Sequence, residues 1–144
     1  NRTFRTERLR SFKMILLDTH IWIWFISEPE ILSKRAKKAV FAAVKEKSVL
    51  ISSISAWEVA LLVITKRLTL SLDVTDWIAK SEGLPFIRFI EISNSIAVKS
   101  VNLPQPLHPD PADRIIIASA LSAGVPLVTK DKKLLDYPHV KTIW

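Results

Sequence analysis

The sequence predicts an α/β fold, a central parallel sheet with helices on both faces. Three observations point to it. Short, wholly apolar runs recur along the chain, helical stretches separate them, and most helical stretches carry their own start or stop residues. Strands and helices that alternate throughout favour crossover connections and a parallel sheet. The length of 144 residues suits one domain, and a hydrophobic fraction of 49% supplies a sizeable core.

The elements follow in order. Ile15-Leu16-Leu17 is an apolar run that reads as a buried parallel strand ending at Asp18. His20 to Ser27 reads as a helix with Thr19 as its cap, and Pro29 marks a turn. Ser33 to Lys47 is an amphipathic helix, apolar at Ala36, Ala39, Val40, Ala43 and Val44. Val49-Leu50-Ile51 is the second strand, and Ser53 can cap a helix reaching about Lys66. After an extended link, Asp73 to Ser81 forms a helix closed by Gly83. Ile87 to Ile92 is a third strand and Ser93 to Val101 a helix. A Pro-rich loop, Leu103 to Pro109, leads to Asp110-Pro111, where Asp at the cap and Pro at the first helical position start a helix through Leu121, ended by Gly124. Pro126 to Thr129 is a fourth strand, Asp131 to Leu135 a short helix, and Val140 to Trp144 a final strand.

Composition narrows the function classes. No run approaches the ~20 apolar residues of a membrane-spanning helix, and no apolar segment of a secretory signal follows the basic N-terminus. The absence of cysteine removes disulfides and thiolate zinc sites and is compatible with a cytoplasmic setting. Three histidines lie far apart, so a metal would be held mainly by carboxylates, which favours Mg²⁺ or Mn²⁺ over zinc. The net charge is +7, of which residues 1–13 carry +4. Those residues read as an N-terminal extension, non-native or disordered, ahead of a single domain at 14–144. The mildly basic remainder permits nucleic-acid binding without demanding it.

Active sites of open parallel sheets form beyond the C-terminal strand ends. Asp18 ends the first strand, and Asp131 follows the fourth. Asp113 opens the helix that leads into the fourth, and Glu58 lies early in the helix after the second. The topology can bring all four to one rim. Clustered carboxylates raise one another's pKa unless a cation intervenes. A divalent metal resolves that conflict, polarises a phosphoryl group and acidifies a water. Each acid also has a structural reading. Asp18, Asp110 and Asp131 can cap helices, and Asp113 can complete a capping box. Glu58 lies among Trp57, Val59, Ala60, Leu61 and Leu62, where a carboxylate without a partner is costly.

Four segments together carry a family resemblance: Met14-Ile-Leu-Leu-Asp-Thr-His20, Ser52-Ser-Ile-Ser-Ala-Trp-Glu-Val59, His108-Pro-Asp-Pro-Ala-Asp-Arg-Ile-Ile-Ile-Ala118 and Pro126-Leu-Val-Thr-Lys-Asp131. From Met14 to Trp144 the chain resembles PIN-domain ribonuclease toxins of the VapC type. The resemblance implies a three-layer α/β/α fold. It implies a Mg²⁺- or Mn²⁺-dependent endoribonuclease that cleaves RNA to 5′-phosphate and 3′-hydroxyl ends. Its acidic positions carry over to Asp18, Glu58, Asp113 and Asp131 as catalytic and metal-binding residues, with Asp110 as a supporting contact. It further implies a homodimer and a cognate VapB-like antitoxin, whose groove the helix bearing Trp22 and Trp24 helps to form.

Other features fit around this reading. Trp22 and Trp24 cannot share a helical face, so one belongs in the core and the other is open to a partner. Lys34, Arg35, Lys37 and Lys38 read as a solvated helix face. Lys130, Lys132 and Lys133 flank Asp131 and are candidates for phosphate contacts. Arg114 pairs with a rim acid or touches phosphate. The histidines His20, His108 and His139 read as loop or helix-end residues. A catalytically inactive RNA- or antitoxin-binding module is the alternative, although binding an anion does not call for four acids. Phosphotransfer folds expect acidic pairs that Asp18-Thr19-His20 lacks, and with only Gly83 and Gly124 no dinucleotide-binding turn can form.

Overall fold

Strands buried on both faces need apolar side chains at every position, and the central strands meet that demand. A computed structural model describes residues 13–106 and 108–144. The expectation about the N-terminal extension lies, apart from Lys13, outside the described residues. Strand β1 (Ile15–Leu17) and strand β2 (Val49–Ser52) are buried throughout. With β3 (Ile87–Ile90), β4 (Leu127–Val128) and β5 (Thr142–Ile143) they form one parallel sheet in the order β3-β2-β1-β4-β5.

The helices are α1 (Thr19–Ser27), α2 (Lys34–Lys45), α3 (Ser53–Ile64), α4 (Val74–Glu82), α5 (Asn94–Val101), α6 (Pro111–Ala123) and α7 (Lys132–Leu135), with a 3₁₀ turn at Pro29–Ile31. They divide between the two faces by the alternation of the strand side chains. Ile15, Leu17, Val49 and Ile51 pack with Ile21, Trp22, Ala36, Val40 and Trp77 on one face. Leu16 and Leu50 pack with Ile96, Ile116, Ile117 and Leu134 on the other. The architecture is three-layer α/β/α. Trp22 anchors the first face: it lies 4.8 Å from Trp77 and 5.5 Å from Phe89, ring to ring, and its indole N–H donates to Ser81 Oγ at 3.0 Å.

The element order matches the sequence expectation, and the boundaries correct it. Of the two cap candidates at α1, Asp18 rather than Thr19 takes the role, and Ser52, not Ser53, caps α3. At both places the last strand region runs directly into the cap, so the first of two adjacent polar residues takes the role. Helices α2 and α3 stop at Lys45 and Ile64, short of Lys47 and Lys66, because those two lysines adopt left-handed φ values of 53° and 60°. Strand β3 ends at Ile90 rather than Ile92, since its one partner, β2, ends at Ser52 opposite Ile90. Strands β4 and β5 are likewise two residues each, trimmed to their shared ladder.

The strand order decides where a site can form. Chain connections run outward from β1 in both directions, so the order reverses between β1 and β4. Open parallel sheets bind their ligands at such a reversal, past the C-terminal strand ends. The two residues there are Asp18, after β1, and Thr129, after β4, and the Asp18 N–H bond to the Val128 carbonyl at 3.0 Å holds the two strand ends side by side.

Candidate active site

Asp18 is 8% exposed, and both its carboxylate oxygens are held. Oδ1 accepts the Thr19 backbone N–H at 2.8 Å, and Oδ2 accepts the Thr129 hydroxyl at 2.8 Å. Burial pushes its pKa up, against the pull of these two hydrogen bonds and of nearby His20, while Asp131 pushes it further up.

Two threonines link this carboxylate to other acids. The Thr19 hydroxyl donates to Glu58 Oε1 at 2.7 Å. A hydroxyl has one proton, so the 2.8 Å contact between Thr19 and Ser55 has Ser55 as donor. Thr19 thus holds Asp18 through its backbone and Glu58 through its side chain. Glu58 is half-buried, and its partner answers the cost that its apolar neighbours in sequence imply. Burial raises its pKa, the Thr19 bond lowers it, and Asp18 and Asp110 add repulsion. Across the β1–β4 junction, the Thr129 hydroxyl also accepts the Asp131 N–H at 3.0 Å. Asp131 caps α7 by accepting the Lys133 N–H at 2.9 Å, and it sits exposed at the rim. Its capping and rim positions coexist.

Asp113 enters from α6. Its pKa is pushed up to about 8, first by burial and then by Asp18, Asp110, Glu58 and Asp131. The acids within electrostatic range of it are thus Asp110 on its own helix start and Asp18, Glu58 and Asp131 from other elements. Asp113 does not complete a capping box. Asp110 alone caps α6, accepting the N–H groups of Ala112 at 2.8 Å and Asp113 at 3.3 Å. The Asp110 N–H instead donates to His108 Nδ1 at 3.0 Å, and His108 Nε2 lies 3.3 Å from Asp113 Oδ2.

The structure therefore brings together the four acids expected from the sequence, with Asp110 beside them. The convergence is one of electrostatic range: among the described residues no three acids or histidines stand close enough to form a ready cation cage. A cleft of 510 Å³ opens beside Glu58, lined by His20, Trp57, Arg67, Asp110 and Pro111 among others. Arg114 forms no ion pair with a rim acid among the described residues. Its guanidinium donates to the backbone carbonyls of His108 and Pro109, at 2.9 and 3.5 Å, and so ties down the loop. Lys130 turns to aromatic faces, 5.8 Å from the Trp24 ring centre and 5.7 Å from that of Trp144. Trp22 is the core tryptophan and Trp24 the half-exposed one.

Thr19, Ser55, Thr129 and His108 were not singled out by sequence reasoning as site residues. Thr129 and His108 each stand two or more positions from an acid in quoted motifs, but nothing local marks a hydroxyl whose partner lies 111 residues away.

The donor set suits a hard divalent cation, because every candidate ligand is a carboxylate oxygen. Two threonines tie Asp18, Glu58 and Asp131 into one junction with Asp113 in range, and a positive charge there would relieve the repulsion that helps raise the Asp113 pKa.

Comparison with known proteins agrees with this fold. The PIN domain family model matches residues 15–140. Ribonuclease VapC22 of Mycobacterium tuberculosis is 35% identical over 132 residues, covering 90% of this chain and 98% of the relative. A toxin–antitoxin complex from Klebsiella pneumoniae contains a chain 28% identical, with a TM-score of 0.58 over 86% of this chain and 92% of that one. VapBC2 from Rickettsia felis, solved with a promoter DNA fragment, is similar in fold, with a TM-score of 0.65, 17% identity and coverage of 90% and 96%. With its strand-end acids, its three-layer sheet and its near-complete match to a VapC ribonuclease, the chain belongs to the PIN domain family.

Proposed function

We propose that this protein is a Mg²⁺- or Mn²⁺-dependent endoribonuclease, the toxin of a toxin–antitoxin pair, with Asp18, Glu58, Asp113 and Asp131 as its catalytic and metal-holding residues. The observation that carries the reading is the hydrogen-bonded junction past β1 and β4, where Thr19 bonds both Asp18 and Glu58 and Thr129 bonds both Asp18 and Asp131. Four acids from separate elements within electrostatic range of one another raise the free energy of the empty site, and a cation-dependent phosphodiesterase has a use for them.

A bound divalent ion would supply Lewis acidity toward a phosphoryl oxygen and would acidify a water. The protein's own residues supply position. Thr19 and Thr129 fix both oxygens of Asp18, so this carboxylate is pre-oriented. Thr19 fixes one oxygen of Glu58, leaving the other uncommitted among the described residues. Asp131 stands at the exposed rim, where a carboxylate can accept a proton from an incoming water or orient it. The 510 Å³ cleft beside Glu58, with Arg67 and the exposed Trp57, offers a phosphate partner and a stacking face for a single strand.

The similarity to chains solved in toxin–antitoxin complexes supports a VapB-like antitoxin as partner. The half-exposed Trp24 on α1 is available to that contact. The family resemblance supports a homodimer, a domain spanning 14–144 and action on RNA in the cytoplasm. No helix among the described residues is long and apolar enough to cross a membrane.

The test is cleavage of a mixed RNA substrate by purified protein. Cleavage should require Mg²⁺ or Mn²⁺, stop with EDTA and leave 5′-phosphate ends. Asp18→Asn and Asp113→Asn should each abolish it. Tight RNA binding with no cleavage under any divalent metal would replace the nuclease with the binding-module reading.

A further inference from the structure

The Pro-rich loop places a histidine directly behind the acid cluster. His108 is 6% exposed, and its two ring nitrogens meet different partners. The Asp110 backbone N–H donates to Nδ1 at 3.0 Å. A ring nitrogen that accepts a hydrogen bond carries no proton, so the imidazole proton sits on Nε2. Nε2 is fully buried and makes no well-aligned hydrogen bond among the described residues. The acceptor beside it is Asp113 Oδ2, 3.3 Å away.

The rest of the loop holds the ring in that attitude. Arg114 Nη1 donates to the His108 carbonyl at 2.9 Å. Asp110, whose N–H fixes Nδ1, also caps α6 through the N–H groups of Ala112 and Asp113. Loop, cap and ring therefore form one unit that ends at Asp113.

We propose that His108 is a positioning residue for Asp113: its buried Nε2, 3.3 Å from Oδ2, sets the carboxylate's orientation and leaves Oδ1 to serve a divalent cation. The inference rests on the metal-dependent reading above and deepens it by assigning a residue outside the four acids. Metal-binding side chains work best when a second group fixes their orientation, and losing that group weakens binding. A histidine that merely fastens the loop would act through Nδ1 alone.

Two substitutions separate these roles. His108→Asn keeps a side-chain acceptor near the Nδ1 position and loses the reach of Nε2. His108→Gln places an amide N–H near the Nε2 position. Mn²⁺ binding to the full chain is measured by calorimetry, alongside kcat and KM for RNA cleavage. His108→Asn should bind Mn²⁺ about 10-fold more weakly and lose kcat with KM for RNA unchanged, while His108→Gln should stay within about 3-fold of the parent. Equal Mn²⁺ affinity in His108→Asn and parent, or equal weakness in Asn and Gln variants, overturns the proposal. If neither variant folds, side-chain ¹⁵N spectra decide: an Nε2–H signal that moves on Asp113→Asn upholds it, and an Nε2–H signal indifferent to Asp113→Asn, or a proton on Nδ1, overturns it. A parent protein that binds no Mn²⁺ and cleaves no RNA sinks the nuclease reading as well. One that does both while His108→Asn matches it sinks only the role of His108.

Discussion

Replacing Asp113 with Asn should stabilise the metal-free protein, and by more as the pH rises. Burial and neighbouring acids push the carboxyl's pKa up to about 8 from the ordinary 3.8. The sign follows from proton binding. Between those two values the unfolded chain has released this proton and the native protein still holds it. Native stability from this group is therefore full below the lower value and is lost as pH rises toward about 8, beyond which the penalty is constant. The gap of about four pH units, at about 1.4 kcal/mol each, sets a ceiling of about 6 kcal/mol. The side chain is 13% exposed, and four mutually repelling carboxylates can shift apart or take up protons in turn, so the realised penalty is smaller. About 2 kcal/mol is a reasonable scale, or roughly 4–8 °C in Tm for a chain of this size. Thermal unfolding of parent and Asp113→Asn in EDTA, from about pH 5 to about pH 9, reads it directly. The variant's advantage should grow through that range and flatten near the top. An advantage that is independent of pH, or a variant less stable than the parent at the alkaline end, would refute the reasoning.

Two further perturbations probe the supports. Thr129→Val removes the hydroxyl shared by Asp18 Oδ2 and the Asp131 N–H; it should cost about 1–3 kcal/mol by urea unfolding, and metal-dependent RNA cleavage should fall about 10-fold. Unchanged stability and activity would mean that neither partner relies on it. Lys47→Gly relieves a left-handed φ of 53° after α2 and should raise stability by up to about 1 kcal/mol, seen as a higher Tm, whereas a lower Tm would contradict the strain argument.

How much of this was legible in the sequence depends on the range of the interactions. The central strands were readable because burial on both faces leaves no polar position in Ile15-Leu16-Leu17 or Val49-Leu50-Ile51. The four acids were readable because parallel α/β order places strand ends and helix starts at one rim. The start of α6 was readable because Asp110 and Pro111 act within their own turn. Roles set across the chain were not. Thr19 reads locally as a cap, yet the fold gives that task to Asp18 and aims the threonine hydroxyl at Glu58, 39 residues on. Asp113 reads as half of a capping box, and its repulsion from Asp18, Glu58 and Asp131 on other elements has no trace in its own turn. Strand ends at Ile90 and Val128 are set by the partner strand's length, which no single segment contains.

The most direct measurement of the central claim is an NMR titration with substoichiometric Mn²⁺, whose paramagnetism broadens nearby amide signals. A single cation crevice at the β1–β4 junction predicts that resonances at Asp18, Glu58, Asp113 and Asp131 broaden together, before any other part of the chain. Broadening at only one of the four, or first at another surface, would contradict it.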